Sequence, residues 1–189
     1  MIDLSDKLKV SDKNIDLIED IFEQGDSRYV DDNSAILVAY FLENSGIEIE
    51  NDKILGVDSP SESDLKRISG PQQFHKFLGK KHLEEKGYEV VGFEMLVKGG
   101  RADILAKNFS KNETVAVECC ACRTDKAIEY LRKENTILWV ISLSEKGSLD
   151  KEIPVFIIKR GPNWDKCIKL FDQIIREQLR KVRSPMDDL

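Results

Sequence analysis

A chain of 189 residues with 41% hydrophobic and 34% charged side chains has the composition of a folded, water-exposed domain, or of one domain with a small appendage. No apolar run approaches the roughly 20 residues needed to cross a bilayer, and the N-terminal MIDLSDKLKV lacks the basic-then-apolar order of a secretory signal, so no membrane partner and a cytoplasmic location are expected. The net charge of −6 hides an asymmetry: residues 1–70 hold 7 Lys+Arg against 17 Asp+Glu, whereas residues 71–189 hold 22 against 18, so the acidic half does not suit a polyanion.

Ser11 is placed to cap a helix over about Asp12–Gln24, which Gly25 ends. Ile15, Ile18 and Phe22, with Leu17 and Ile21, give that helix its apolar stripe. A second helix is expected over Ser34–Asn44, stopped by Gly46. Ile47–Val57 alternates around Asn51-Asp52 in the manner of a short hairpin. The polar stretch VDSPSESDLKRIS, with Pro60 and three serines before Leu65, reads as a linker. Residues 1–68 are thus expected to form a small, acidic, mainly helical unit plus linker, with a second domain over 69–189.

From Gly70 the pattern changes. Pro71 suits the first turn of a helix running to about Lys86, and Gly87 ends it. Tyr88–Val97 is strand-like, Lys98-Gly99-Gly100 a turn, and Arg101–Ala106 a second strand. Lys107–Asn112 turns again before a third strand over Glu113–Ala121. Thr124 is placed to cap a helix from Asp125 to about Glu134. Thr136–Ser142 reads as a strand buried on both faces, Ile153–Lys159 as a fifth strand. Asn163 is placed to cap a last helix striped by Trp164, Ile168, Phe171, Ile175, Leu179 and Val182. Three meandering strands followed by a helical crossover predict a mixed α/β sheet flanked by helices.

Two carboxylates interrupt this apolar pattern. Asp103 lies in GRADILA and Glu118 in VAVECC, on strands joined by a short turn. A buried carboxylate is costly unless paired or bound to metal, and two on neighbouring strands can converge on one cation. An oxygen-only donor set favours magnesium or manganese over zinc. Such an ion polarises a phosphodiester and activates water.

The order αβββαβ, with Asp in the second strand and Glu in the third, resembles the PD-(D/E)XK nuclease superfamily, which includes restriction enzymes and archaeal Holliday-junction resolvases. GGRADILA followed by ETVAVE carries the resemblance, which extends from about Gly70 to Arg183. It implies a restriction-endonuclease-like core, a magnesium-dependent endodeoxyribonuclease activity, Asp103 and Glu118 as metal ligands, DNA as partner, and a homodimer as one arrangement. The family pattern also asks for a lysine two residues after the Glu, where this chain has Cys120. Two readings follow. The cation has moved to the next helix, to Lys126 or failing that Arg123, or the site is catalytically degenerate and the fold only binds nucleic acid or a protein.

Accessory positions carry competing readings. Glu94 is a third carboxylate for the site or a solvated edge residue. His75, seven residues from His82 on one helix face, is a phosphate contact or an ordinary helical histidine. Lys76, Lys80, Lys81, Arg101, Arg123, Lys126, Arg132, Lys133, Arg176, Arg180, Lys181 and Arg183 offer phosphate contacts or simple solubility. The acidic residues 1–68 suit a protein partner, or cover the basic face in cis. Cys119, Cys120 and Cys122 crowd one segment with Cys167 far off, which fits reduced thiols better than a disulfide framework or a zinc site. Cys120 and Cys122 are expected on the face of Glu118, within reach of oxidation.

Overall fold

Thr136–Ile141, TILWVI, is buried at every position, as a strand covered on both faces must be. A computed structural model of the chain describes residues 8–22, 32–55, 71–98, 100–120, 122–142 and 152–183. In chain order they form α1 (Asp12–Phe22), α2 (Asp32–Glu43), β1 (Ile47–Ile54), α3 (Pro71–Glu85), β2 (Glu89–Val97), β3 (Gly100–Asn108), β4 (Glu113–Cys119), α4 (Thr124–Leu131), β5 (Thr136–Ile141), β6 (Ile153–Arg160) and α5 (Trp164–Arg183).

The six strands make one sheet in the order β1-β6-β5-β4-β3-β2. All neighbours are antiparallel except β4 and β5, which run parallel because α4 carries the chain across between them. The result is a mixed α/β sheet with helices on both faces. On one face α3 packs Leu78 and Leu83 over Ile104, Val115, Val117, Trp139 and Ile141. On the other, α1, α2, α4 and the start of α5 bury Ile18, Phe22, Val38, Phe41, Ile128, Tyr130 and Trp164 against Ala116, Leu138, Val140 and Ile158.

Several local expectations change. Ile47–Ile54 is one strand and not a hairpin around Asn51-Asp52. It pairs with β6 from Ile47↔Arg160 to Ile54↔Ile153, and Asn51-Asp52 lacks the glycine that favours a two-residue turn. The expected boundary at 68/69 falls outside the described residues, as does Gly25. N-terminal to it, β1 extends the sheet and α1 and α2 enter one core with Trp164 and Cys167. Thr124 is the first helical residue of α4, and the cap position is Arg123. Asn163 directs its amide to the Asn44 carbonyl at 3.0 Å, while its own carbonyl receives the first N–H groups of α5. Ser11 likewise gives its carbonyl to α1 and its hydroxyl to Glu43. No helix among the described residues is long and apolar enough to cross a membrane.

Gly79 sets how closely α3 approaches the sheet. A Cβ there would lie 2.7 Å from Ile141 Cδ1 and 3.0 Å from Ile104 Cδ1, so any side chain would push the helix away. That close approach brings the residue one turn earlier, Lys76, down to the strands.

Candidate active site

The β3–β4 ladder runs from Asn108↔Glu113 to Ile104↔Val117 and then opens. At the opening, Asp103 Oδ2 accepts the Cys119 backbone N–H at 2.7 Å, so a side chain replaces the next main-chain acceptor. Asp103 is 8% exposed and Glu118 4%, in an otherwise apolar setting of Ala102, Ile104, Val117 and Cys119. Glu118 Oε1 accepts two hydrogen bonds, from the Tyr130 hydroxyl at 2.6 Å and from Lys126 Nζ at 2.7 Å. Burial pushes the Glu118 carboxyl above its ordinary range, and the charge of Asp103 pushes the same way. The bonds from Lys126 and Tyr130 only partly offset this. The Tyr130 hydroxyl is itself driven upward by burial and by its bond to Glu118, so it stays a donor.

Two lysines reach this opening from opposite sides of the sheet. Lys126 comes from the first turn of α4. Its ammonium also donates to the Arg101 carbonyl at 2.6 Å and lies 5.5 Å from the centre of the Tyr130 ring. Its stem crosses Gly100, whose φ of +137° and missing Cβ leave room: a Cβ would sit 3.1 Å from Lys126 Cε. The Arg160 guanidinium fixes the far end of α4 by donating to the carbonyls of Leu131 and Arg132. Lys76 comes from α3. Its side chain is 6% exposed, with Nζ 3.3 Å from Asp103 Oδ1 and hydrogen-bonded to Glu94 Oε1. Burial alone would lower the Lys76 pKa, but Glu94 and Asp103 more than reverse it and hold the ammonium charged.

Lys76 is the residue that the sequence reading misplaced, among solvated lysines. The available signal was its spacing: 76, 79 and 83 are i, i+3 and i+7, and Gly79 and Leu83 are buried against the sheet.

The remaining expected residues divide clearly. Glu94 falls between the pairs Phe93↔Ile104 and Met95↔Ala102, hence opposite Asp103. It is half-exposed, has a φ of 52°, and its carboxyl is held below the usual range by the Lys76 bond. Arg101 is 62% exposed at 4.0 Å from Glu94. Arg123 pairs with Asp125 at the surface, so Lys126 and not Arg123 meets the carboxylates. His75 is buried edge-on to Phe74. His82 is buried too, with Nε2 3.0 Å from Asp52 Oδ2. Arg132 bridges Glu129 and Asp172. The side chains of Arg180, Lys181 and Arg183 lie outside the described residues.

Cys120 departs from its expected position. β4 ends at Cys119, and Cys120 takes a left-handed φ of 78°, which breaks strand alternation. Its half-buried thiol is pushed up to about 11 by burial and by the Asp103 carboxylate, so the reactive thiolate is scarce near neutrality. Cys119 and Cys122 are buried and shifted upward as well. Among the described residues no three His, Cys, Asp or Glu side chains gather to hold a metal by themselves.

No protein-family model matches the chain, and no curated protein and no solved structure matches it.

Proposed function

We propose that the chain is a metal-dependent nuclease that hydrolyses phosphodiester bonds of DNA on a PD-(D/E)XK-type core. One observation carries the reading: two buried carboxylates, Asp103 and Glu118, occupy adjacent strands where their ladder opens. The order β2-β3-β4-α4-β5, an antiparallel meander followed by a parallel crossover, supports it.

The donor set suits magnesium or manganese as a two-carboxylate site that keeps most of its waters. Glu118 takes its two described bonds on Oε1, which leaves Oε2 for the metal. Charge points the same way, since Lys76 and Lys126 offset two of the three carboxylates Glu94, Asp103 and Glu118. Arg101 is too exposed to neutralise the third fully. A bound magnesium supplies Lewis acidity and an acidified water. The chain's own part is orientation. Lys126, braced by Tyr130, Gly100 and the Arg101 carbonyl, presents a fixed ammonium to a phosphoryl oxygen. Lys76 holds Asp103 and Glu94 in place, and Arg101 meets the backbone phosphates. The acidic α1–β1 region faces a basic protein partner rather than DNA.

The test is a panel of duplex, single-stranded and branched DNA with magnesium or manganese. Cleavage by the full chain that is lost in Asp103→Ala supports the assignment, and cleavage that survives Asp103→Ala contradicts it.

A second reading, a degenerate module that binds nucleic acid without turnover, draws on Cys120 and on the fact that both lysines already neutralise carboxylates. It predicts salt-sensitive DNA binding with no cleavage under any metal.

A further inference from the structure

Strand β2 does not keep strict alternation. Phe93 pairs with Ile104, which belongs to the core under α3, so Phe93 stands on the α3 side of the sheet. Met95 pairs with Ala102, which belongs to the core on the other side. Leu96, paired with Arg101, therefore returns to the α3 side. The residue that shifts the pattern is Glu94, with its left-handed φ of 52°, set opposite Asp103. The shift puts two exposed apolar side chains on either side of the carboxylate opening: Phe93 is 46% exposed and Leu96 79%. About 10 Å of strand separates them. With Val91 at the bulge, they are three of the five large exposed hydrophobics among the described residues. Arg101, 62% exposed, stands beside Leu96, and a groove of about 540 Å³ runs from Phe93 along Lys80 of α3. Contiguous exposed apolar surface of this sort marks a contact, and here it borders Asp103.

Resting on the nuclease reading, we propose that the site takes an unpaired DNA strand, with the bases that flank the attacked phosphate set against Phe93 and Leu96. The chemistry of the rim selects that form. A duplex covers its base faces by stacking and offers a protein its phosphates and groove edges, which call for cations and hydrogen-bonding groups. The side chains of Val91, Phe93 and Leu96 supply neither. An unpaired strand exposes the base faces, and a phenylalanine ring takes any of them with little sequence preference. Cations stand at both ends of the ledge, Lys80 near Phe93 and Arg101 beside Leu96. Their present partners, Glu84 at 3.7 Å and Glu94 at 4.0 Å, are loose surface contacts that a backbone phosphate can replace. Glu94, between the two apolar side chains, is neutralised by its bond to Lys76. Since β2 is the outermost strand, the rim is open along one side for a strand to pass.

The experiment compares one fluorescent mixed-sequence DNA strand, alone and annealed to its complement. Cleavage is followed with manganese in the parent chain. Binding is followed by anisotropy in the full-length Glu118→Gln chain, where turnover is blocked. The single strand should be bound and cut about 10-fold better than the duplex. Phe93→Ala should weaken single-strand binding by about 10-fold and leave duplex binding within about 2-fold, and Phe93→Trp should keep the parent affinity. Leu96→Ala should cost about 3-fold, because an aliphatic side chain covers less of a base. Both side chains are exposed, so thermal melts of these variants should follow the parent. Duplex binding that equals or exceeds single-strand binding overturns the proposal, whether or not the parent cleaves. So does a Phe93→Ala loss shared by both forms, or a loss that Phe93→Trp shows equally. No cleavage of either form, with the single-strand preference and its Phe93 dependence intact, overturns the nuclease reading and supports the strand-binding ledge. A chain that binds neither form overturns both.

Discussion

An acid–base cluster lies toward each end of helix α3, partly exposed at the C-terminal end and more deeply buried at the other, and the two are balanced in opposite senses. Toward its C-terminus a single carboxylate, Asp52, is shared by His82 at 3.0 Å and Lys86 at 2.8 Å. Burial pulls the Asp52 pKa upward, but Lys86, the Lys53 N–H and His82 hold it at about 2. Toward its N-terminus, Lys76 pairs with Glu94 and Asp103, the charge of Asp103 acts on the Glu118–Lys126 pair, and Glu118, desolvated by burial, is shifted up. The first cluster has all the positive charge it needs and ties β1 to α3. The second holds one carboxylate more than its two lysines, with Asp103 and Glu118 buried and Glu94 half-exposed at the rim.

Breaking the second cluster should have the larger effect on stability. Lys76→Met strands Asp103 without its counter-ion and costs about 3 kcal/mol, the low end for a broken buried pair because Glu94 is half-exposed. Urea unfolding at pH 7 checks it, and added manganese should restore part of the loss.

Asp52→Asn comes next. Asp52 has a depressed folded pKa, so its contribution is present above the ordinary value of 3.8 and disappears as pH falls from there to about 2. The variant should lose about 2 kcal/mol at pH 7 and little at pH 2, read from melts across that window.

Glu118→Gln should move the other way. A carboxyl with a raised folded pKa favours its protonated form, so its contribution is present below the ordinary value of 4.5 and is lost as pH rises through the folded value. The neutral, isosteric glutamine should match or exceed the parent by about 1 kcal/mol at pH 8 while abolishing cleavage. A clear loss of stability there would place Glu118 with Asp52 as a structural carboxylate. The smallest effect belongs to Arg123→Ala, which removes only an exposed pair with Asp125 and should stay within about 0.5 kcal/mol in the same melts.

These clusters were unequally legible in the sequence. Asp103 and Glu118 stood out because charged residues inside apolar strand runs are conspicuous, and Lys126 because it opens the helix after the Glu strand. Strands β2 to β6 followed from alternation and turn residues to within a few positions, whereas β1 was expected as a hairpin. Lys76 was hidden because a lysine near Lys80 and Lys81 looks like a solvated face. Its burial depends on how α3 is rotated and on the close approach that Gly79 permits. The pairing of β1 with β6 was hidden for a different reason: register between strands so distant in the chain is set by the shared core and not by local turn chemistry. The left-handed Cys120 had no local marker, since that conformation is usual for glycine and not for cysteine.

The central claim is that Asp103 and Glu118 together form a cation site that works on DNA. Manganese binding by calorimetry, measured beside DNA cleavage on the same full-length preparations, tests it most directly. The parent chain should bind one manganese saturably and cleave. Asp103→Ala and Glu118→Gln should each lose cleavage by more than about 100-fold and bind the ion far more weakly. Equal manganese affinity in the parent and Asp103→Ala, or cleavage that both variants retain, would contradict the account.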